Sequence, residues 1–188
     1  MSHPYLRESR FYAHLLRLDG DLAERVREAG CSCGGTLHSA RFPRRPRVRG
    51  IALAELGEDY SKRFSFCCAA EGCRARATPP SVRFLGRRWY LGALVLLAGV
   101  LSQGLTFSRG KAICRLLRIP WRTLERWREW WQETLPRTSF WRDAGRRLSP
   151  PVVAGQLPSG LLKRFRGDEE QRLVKALGWL SPITTTSA

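Results

Sequence analysis

The sequence is short of acidic residues. Asp and Glu number 16 against 33 Lys and Arg, which leaves a formal net charge of +17 at pH 7 in 188 residues. Most of this charge lies in the middle of the chain, where residues 31–89 carry +8 and residues 90–149 carry +7. Arginine supplies most of it, and the planar guanidinium matches phosphate and guanine better than a lysine ammonium does. The composition therefore predicts a polyanionic partner, either nucleic acid or an anionic membrane surface.

The sequence also lacks the motifs of several enzyme classes. It has no P-loop, no nucleophile elbow and no paired-histidine metalloprotease motif. No alternation of strands and helices points to a scaffold that would gather carboxylates for a two-metal site. We therefore predict a non-catalytic binding protein without a small-molecule substrate. A nuclease or recombinase component with an unrecognised catalytic part, and an RNA-binding zinc protein, remain the alternatives.

Long apolar runs are scarce. Residues 89–108 contain no charged side chain, but only residues 91–101 are densely apolar, which is the length of a buried helix rather than of a membrane span. At the amino terminus, Arg7, Glu8 and Arg10 interrupt any apolar run, so we expect no secretory signal. These features predict a cytoplasmic, nucleoid-associated protein rather than a membrane protein.

The clearest motif is KAICRLLRIPWRTLERWREWW, residues 111–131. Pro120 disfavours helical geometry at Ile119 but suits the first turn of a helix, so the motif predicts two short helices with a break at this point. Ile119 would be the buried residue of the turn. Apolar residues recur at helical spacing on both sides of the break, as Ala112, Ile113, Leu116 and Leu117 before it and as Leu124, Trp127 and Trp131 after it.

This pattern predicts a helix-turn-helix whose second helix reads duplex DNA. Trp121, Arg122, Thr123 and Arg126 would face outward at the start of that helix, from where they can reach base edges and phosphates in the major groove. Arg118 lies in the turn, at a position where glycine is common, and we expect it to contact DNA as well. The alternative is a plain helical hairpin whose arginines pair with neighbouring glutamates at helical spacing.

Five of the six cysteines lie in two groups, CSCGG and CCAAEGC. Two tight turns that each present two thiolates suit a tetrahedral zinc site, so we expect Zn²⁺ as a cofactor. The first group supplies Cys31 and Cys33. The second supplies Cys73 with either Cys67 or Cys68, and His38 can replace one sulfur. Inert buried thiols, or disulfides in an exported chain, are the alternatives.

A basic loop, RFPRRPRVRG, lies between the two cysteine groups at residues 41–50. Its two prolines prevent a regular helix, and its arginines suit a phosphate backbone or a minor groove. We expect Arg44, Arg45 and Arg47 to contact DNA. The alternative is a solvated run of charge.

The two ends of the chain differ in kind from its middle. The first 30 residues predict two helices, the second of them capped by Asp19 or Asp21 and ending at Gly30. Near the carboxyl terminus, a Pro-rich and Gly-rich connector precedes two short helices, and residues 182–188 are expected to fray.

The segments CSCGGTLH, FCCAAEGCRARATPPSVRFLGRRWY and IPWRTLERWREWW resemble small bacterial proteins found with mobile elements. They are similar to the zinc-ribbon and helix-turn-helix front end of insertion-sequence transposases, without the catalytic domain. This resemblance implies double-stranded DNA as the partner and a separately encoded transposase as a candidate second partner. It also implies that Cys31, Cys33, Cys68 and Cys73 bind the metal and that Arg122, Thr123 and Arg126 contact DNA.

Together these features predict a mainly α fold with a small zinc-stabilised β element and a tri-helical helix-turn-helix unit. We place an N-terminal helical segment at 1–30, a zinc-ribbon-like module at 31–88, the helix-turn-helix unit at 89–135, and the connector with its short helices at 136–188. The expected role is that of a transposon-associated accessory protein or a transcriptional regulator.

Overall fold

The structure, a computed structural model, describes residues 8–43, 57–85, 90–101, 106–117 and 119–185. The fold is mainly helical with a small three-stranded sheet, as predicted. The chain forms two compact units. The first, unit 1, combines Met1–Trp89 with Leu180–Ala188, and the second, unit 2, is Tyr90–Trp179.

The elements follow the chain in a simple order. Within the described residues the helices are α1 (Ser9–Ala29), α2 (Gly57–Ser61), α3 (Gly92–Leu101), α4 (Phe107–Leu117), α5 (Trp121–Glu129), α6 (Ser139–Ala144), α7 (Ser159–Leu162) and α8 (Glu169–Leu180). The strands are β1 (Leu37–Ser39), β2 (Phe42–Pro43), β3 (Lys62–Arg63), β4 (Phe66–Cys68), β5 (Arg76–Ala77), β6 (Phe84–Leu85) and β7 (Tyr90–Leu91). A π-helical turn spans Trp130–Thr134, and 3-10 turns span Leu135–Arg137, Gly145–Arg147, Ala154–Gln156 and Ser181–Thr184.

The first helix differs from the prediction. Two helices separated by a cap at Asp19 or Asp21 were expected, but α1 runs unbroken from Ser9 to Ala29. The carboxylate of Asp19 does not cap a helix because residues 81–83 bind it instead. The helix ends where expected, at Gly30, whose φ of 71° lies in the left-handed region that glycine tolerates.

Asp19 and Arg83 form an ion pair, and both side chains are fully buried. Arg83 Nε donates to Asp19 Oδ2 at 2.7 Å, and the Ser81 hydroxyl donates to the same oxygen at 2.6 Å. The backbone N–H of Val82 donates to Asp19 Oδ1 at 2.6 Å. A buried ion pair is tolerated only when further hydrogen bonds satisfy both partners, and here both carboxylate oxygens are satisfied.

The two terminal nitrogens of the Arg83 guanidinium donate hydrogen bonds to backbone carbonyl oxygens. Nη1 donates to Tyr60 O at 2.6 Å, and Nη2 donates to Lys62 O at 3.0 Å. The Tyr60 ring centroid lies 5.2 Å from the guanidinium carbon, within cation–π range. Burial raises the pKa of Tyr60 and raises that of its neighbour Tyr12 to about 12, so both phenols stay neutral. The pair thus ties α1 to the segments around residues 60 and 83.

The sheet of unit 1 is antiparallel, in the order β1-β4-β5. Leu37 pairs with Cys68, and Phe66 pairs with both Ser39 and Ala77. One face of this sheet meets α1, where the buried core consists of Ala23, Leu37, Phe66 and Cys68. The cysteine-bearing strand is therefore part of the hydrophobic core.

The carboxyl terminus is more ordered than the sequence suggested. Residues 182–188 were expected to fray, but the Thr184 hydroxyl oxygen accepts hydrogen bonds from Ser81 N at 2.9 Å and from Arg63 Nη2 at 3.2 Å. The prediction was wrong for residues 182–185, because the partly buried threonine hydroxyl binds two buried residues of unit 1, Ser81 and Arg63. Residues 186–188 lie outside the described part of the chain.

In unit 2, helices α3, α4 and α5 pack against one another. The apolar helix α3 is buried from Gly92 to Gly99, in agreement with the prediction of a buried helix. Trp131 Nε1 donates to Val95 O at 3.1 Å, and a Cβ at Gly99 would lie 2.7 Å from the same indole. In the described parts of the chain, no helix has both the length and the hydropathy to cross a bilayer.

We expect Asp19→Asn to lower the free energy of unfolding of unit 1 by about 3–5 kcal/mol, because it leaves Arg83 buried without a counter-charge. Urea unfolding followed by circular dichroism measures this change. The matched control is Asp21→Asn on the same helix, since Asp21 is exposed and its replacement should alter stability by no more than about 0.5 kcal/mol. Equal effects of the two substitutions would contradict the role given to the ion pair.

Candidate metal centre and nucleic-acid interface

Four cysteines from distant parts of unit 1 converge at one point. Cys31 and Cys33 lie in the turn that follows α1, Cys68 ends β4, and Cys73 lies in the turn before β5. Their four sulfur atoms all lie within 4.8 Å of one another. These are the four ligands that the resemblance implied, and together they can bind a metal ion.

The sulfur separations fit a single tetrahedral ion. Cys31 Sγ lies 3.7 Å from Cys73 Sγ, and Cys33 Sγ lies 3.5 Å from Cys68 Sγ. A tetrahedral ion with metal–sulfur bonds of about 2.3 Å holds its sulfurs about 3.8 Å apart. Four protein ligands fill such a coordination sphere, so the site can stabilise the fold but has no open position for a substrate or a catalytic water.

The turns that carry the cysteines depend on two glycines. Gly34 has a φ of 81°, and its N–H donates to Cys31 O at 2.8 Å, which closes the first turn. Gly35 lies directly against the sulfurs, since a Cβ there would be 2.6 Å from Cys68 Sγ and 3.3 Å from Cys33 Sγ. Only glycine leaves room for the sulfur cluster at this position.

The thiols influence one another's ionisation. Hydrogen bonds from the Cys33 backbone and side chain lower the pKa of Cys31 to about 7. The Ala70 N–H lowers the pKa of Cys68, but burial and the neighbouring thiols outweigh it and raise that pKa to about 12. A bound cation reverses this balance, because coordination favours the thiolate form of each ligand.

The two alternative ligands, Cys67 and His38, lie away from this cluster. Successive side chains of a strand point to opposite faces, so Cys67 faces away from Cys68, and its thiol contacts the carbonyl oxygens of Cys68 and Arg74 at 3.8 and 3.6 Å. His38 pairs with Cys67 across the sheet and is exposed. The structure thus places Cys68 in the sulfur cluster and leaves Cys67 and His38 outside it.

Comparison with known proteins adds no family to this geometry. No family model, curated protein or solved structure matches the chain. The resemblance to the front end of insertion-sequence transposases stays an expectation from the motifs quoted above.

The two helices expected from residues 111–131 are present as α4 and α5. Pro120 precedes α5 with a φ of −63°, and Ile119 is buried in the turn, as predicted. Most of the expected apolar stripe is buried, namely Ile113, Leu117, Leu124, Trp127 and Trp131. Ala112 and Leu116, which were expected to share that stripe, are exposed instead.

The residues expected to face outward on α5 divide into two groups. Arg122 and Arg126 are exposed. Thr123 is only 6% exposed, so the prediction that it faces outward was wrong, and its hydroxyl accepts a hydrogen bond from Arg126 Nη2 at 3.2 Å. Trp121 is half-buried because its ring packs on Gly110, where a Cβ would lie 2.2 Å from the indole.

The remaining expected DNA contacts cannot be placed. Arg118 and the loop arginines Arg44, Arg45 and Arg47 lie outside the described residues.

Several cations on α4 and α5 are exposed and carry no ion pair within the described residues. This group consists of Arg109, Lys111, Arg115 and Arg122. The alternative of a plain hairpin expected the arginines to pair with Glu125, Glu129 and Glu133 at helical spacing. Glu133 does pair with Arg137, at 3.8 Å, but Glu125 and Glu129 form no ion pair within the described residues. The sequence reasoning left out the cations of α4, although Lys111 and Arg115 are four residues apart and thus share one helix face.

We expect Cys68→Ser to abolish metal binding and to unfold unit 1 at lower temperature, because one ligand of a closed tetrahedral site is lost. Elemental mass spectrometry of the purified protein and thermal unfolding measure both effects. Cys67→Ser is the matched control, since it changes the same atom type one residue away but outside the cluster. Loss of metal from the Cys67 variant instead would contradict the ligand set.

Gly35→Ala should weaken metal affinity by about tenfold or more, because the added methyl group displaces the Cys68 sulfur. Competition with a chromogenic chelator measures the affinity. Gly20→Ala is the control, as a Cβ there meets nothing within 4 Å. In the middle of α1 it should instead stabilise the protein by about 0.5–1 kcal/mol at unchanged metal affinity.

Proposed function

We propose that this chain is a zinc-containing protein that recognises double-stranded DNA through α5 and catalyses no reaction on it. Its role is that of an accessory protein of a mobile element or of a transcriptional regulator. The observation that carries the proposal is the set of exposed cations on α4 and α5 that form no ion pair with any residue the structure describes. Positive charge that no neighbouring carboxylate neutralises is what a phosphate backbone selects.

The packing of unit 2 supports this reading. Helix α3 is buried and contacts both α4 and α5, and the break at Pro120 separates α4 from α5. In a helix-turn-helix, the amino-terminal residues of the second helix contact base edges while the first helix crosses the backbone. Arg122 occupies that amino-terminal position on α5, and a guanidinium there can bind guanine in a bidentate manner.

Thr123 takes a different role from the one the sequence suggested. Its buried hydroxyl accepts a hydrogen bond from Arg126 and so restricts the conformations of that side chain. A guanidinium held in place before binding loses less conformational entropy when it contacts DNA. Thr123 is thus a positioning residue for Arg126 in this proposal.

Zinc is the metal that the four cysteines suit best. A tetrahedral set of four thiolates is typical of zinc or of iron–sulfur centres. The sulfurs here are 3.5 and 3.7 Å apart in the two close pairs, which matches one ion at the centre rather than a larger multi-iron cluster between them. When bound, zinc would supply cross-links between the turn after α1 and strand β4, and its binding energy would contribute to folding.

We expect Arg122→Ala to weaken binding to a duplex selected from a randomised library by about 1–3 kcal/mol, with a smaller effect on random duplex. Loss of a base contact lowers affinity for the selected sequence alone, whereas loss of charge lowers affinity for every sequence. Fluorescence anisotropy over a salt series measures both.

The matched control is Arg137→Ala, which removes the same charge from unit 2 at a residue already paired with Glu133. It should change both affinities little. If the two variants lose affinity equally, or if Arg122→Ala loses affinity equally for selected and random duplex, the binding is non-specific electrostatic attraction. Tighter binding to single-stranded RNA than to any duplex would favour an RNA-binding protein instead.

A further inference from the structure

Phe107, the first residue of α4, is 65% exposed. Single exposed apolar side chains are common on protein surfaces, so exposure alone argues for nothing. Here, however, specific neighbours hold the ring in place.

Two neighbours fix the Phe107 ring. Lys111 Nζ lies 4.3 Å from its centroid, and the Trp121 ring centroid lies 5.5 Å away at an angle of 57°. Trp121 is itself packed on Gly110, where any added side chain atom would clash with the indole. The exposed phenyl ring is thus supported by a rigid neighbour and flanked by a cation.

This cluster brings the amino-terminal ends of α4 and α5 together, because Phe107 begins one helix and Trp121 begins the other. The amino-terminal end of the second helix is the end that approaches base edges in a helix-turn-helix. Phe107 therefore packs against Trp121, the residue that directly precedes Arg122 in α5, and the Lys111 ammonium lies over the same phenyl ring.

In the major groove, the group that suits an apolar side chain is the C5-methyl of thymine. The Lys111 ammonium lies over the Phe107 ring and the Trp121 ring is tilted against it, so both neighbours compete with bases for stacking on this phenyl group. We propose that Phe107 is a specificity-determining residue that contacts a thymine methyl group, with Trp121 as the residue that positions it. This inference rests on the proposed function, since it requires duplex recognition through α5.

The experiment uses the selected duplex and a series in which each thymine is replaced, one at a time, by deoxyuracil, which lacks only the methyl group. At one position the wild-type protein should bind about fourfold more weakly, which corresponds to one methyl group left unburied. Phe107→Ala should bind the thymine and uracil duplexes equally. Phe107→Leu should keep part of the difference because it keeps an apolar contact.

Leu116→Ala is the matched control. Leu116 is 47% exposed on the same helix, and its loss should leave the methyl sensitivity intact. Circular dichroism of each variant checks the fold. A Phe107→Ala protein that still distinguishes thymine from uracil, or a wild-type protein that distinguishes them nowhere, overturns the inference while selective duplex binding stands.

Two further outcomes distinguish failure of the thymine contact from failure of DNA recognition as a whole. If no duplex is selected over random sequence, both fail together. If Phe107→Ala turns a dimer into a monomer in sedimentation equilibrium, the ring belongs to a subunit interface, and the thymine contact is overturned even though DNA recognition through Arg122 is unaffected.

Discussion

The buried ion pair between Asp19 and Arg83 is the constraint on which unit 1 depends. Neither charge is exposed to water, so each must be satisfied by protein groups. The residues that satisfy them come from segments far apart in sequence: α1, the end of α2, strand β3 and the segment before β6. Since these contacts are mutually dependent, the network specifies one arrangement of the segments around the cysteine cluster.

The ion pair and the cysteine cluster contact α1 at different points along its length. The helix carries Asp19 at its midpoint and ends directly before the turn that supplies Cys31 and Cys33. Its residue Ala23 lies between them in the core with Leu37 and Cys68. One helix thus connects the buried ion pair, an apolar contact and the turn that carries Cys31 and Cys33, which helps to bring that turn close to Cys68 and Cys73.

The sequence allowed some of these features to be predicted and not others. The cysteine groups and the break at Pro120 follow from local chemistry, and both the sulfur cluster and the break between α4 and α5 were found as expected. The outer bounds differ, because α4 begins at Phe107 and α5 ends at Glu129. The choice of Cys68 over Cys67 depends on the register of β4, which local spacing does not encode. The role of Asp19 could not be foreseen because Arg83 is 64 residues away. The outward position predicted for Thr123 was wrong because a polar side chain need not face water. This residue is buried, and its hydroxyl accepts a hydrogen bond from Arg126.

The hydrogen bonds of Thr184 can form only at the end of synthesis, because this residue lies close to the carboxyl terminus of the chain. Unit 1 consists of two pieces of chain separated by the whole of unit 2, and its second piece begins at Leu180. A ribosome therefore releases all four metal-binding cysteines long before it releases the hydroxyl that accepts from Ser81 N and Arg63. During that interval the cysteine-bearing part of the nascent chain must persist with an unfinished polar network, while unit 2 has the opportunity to fold as an insertion within it.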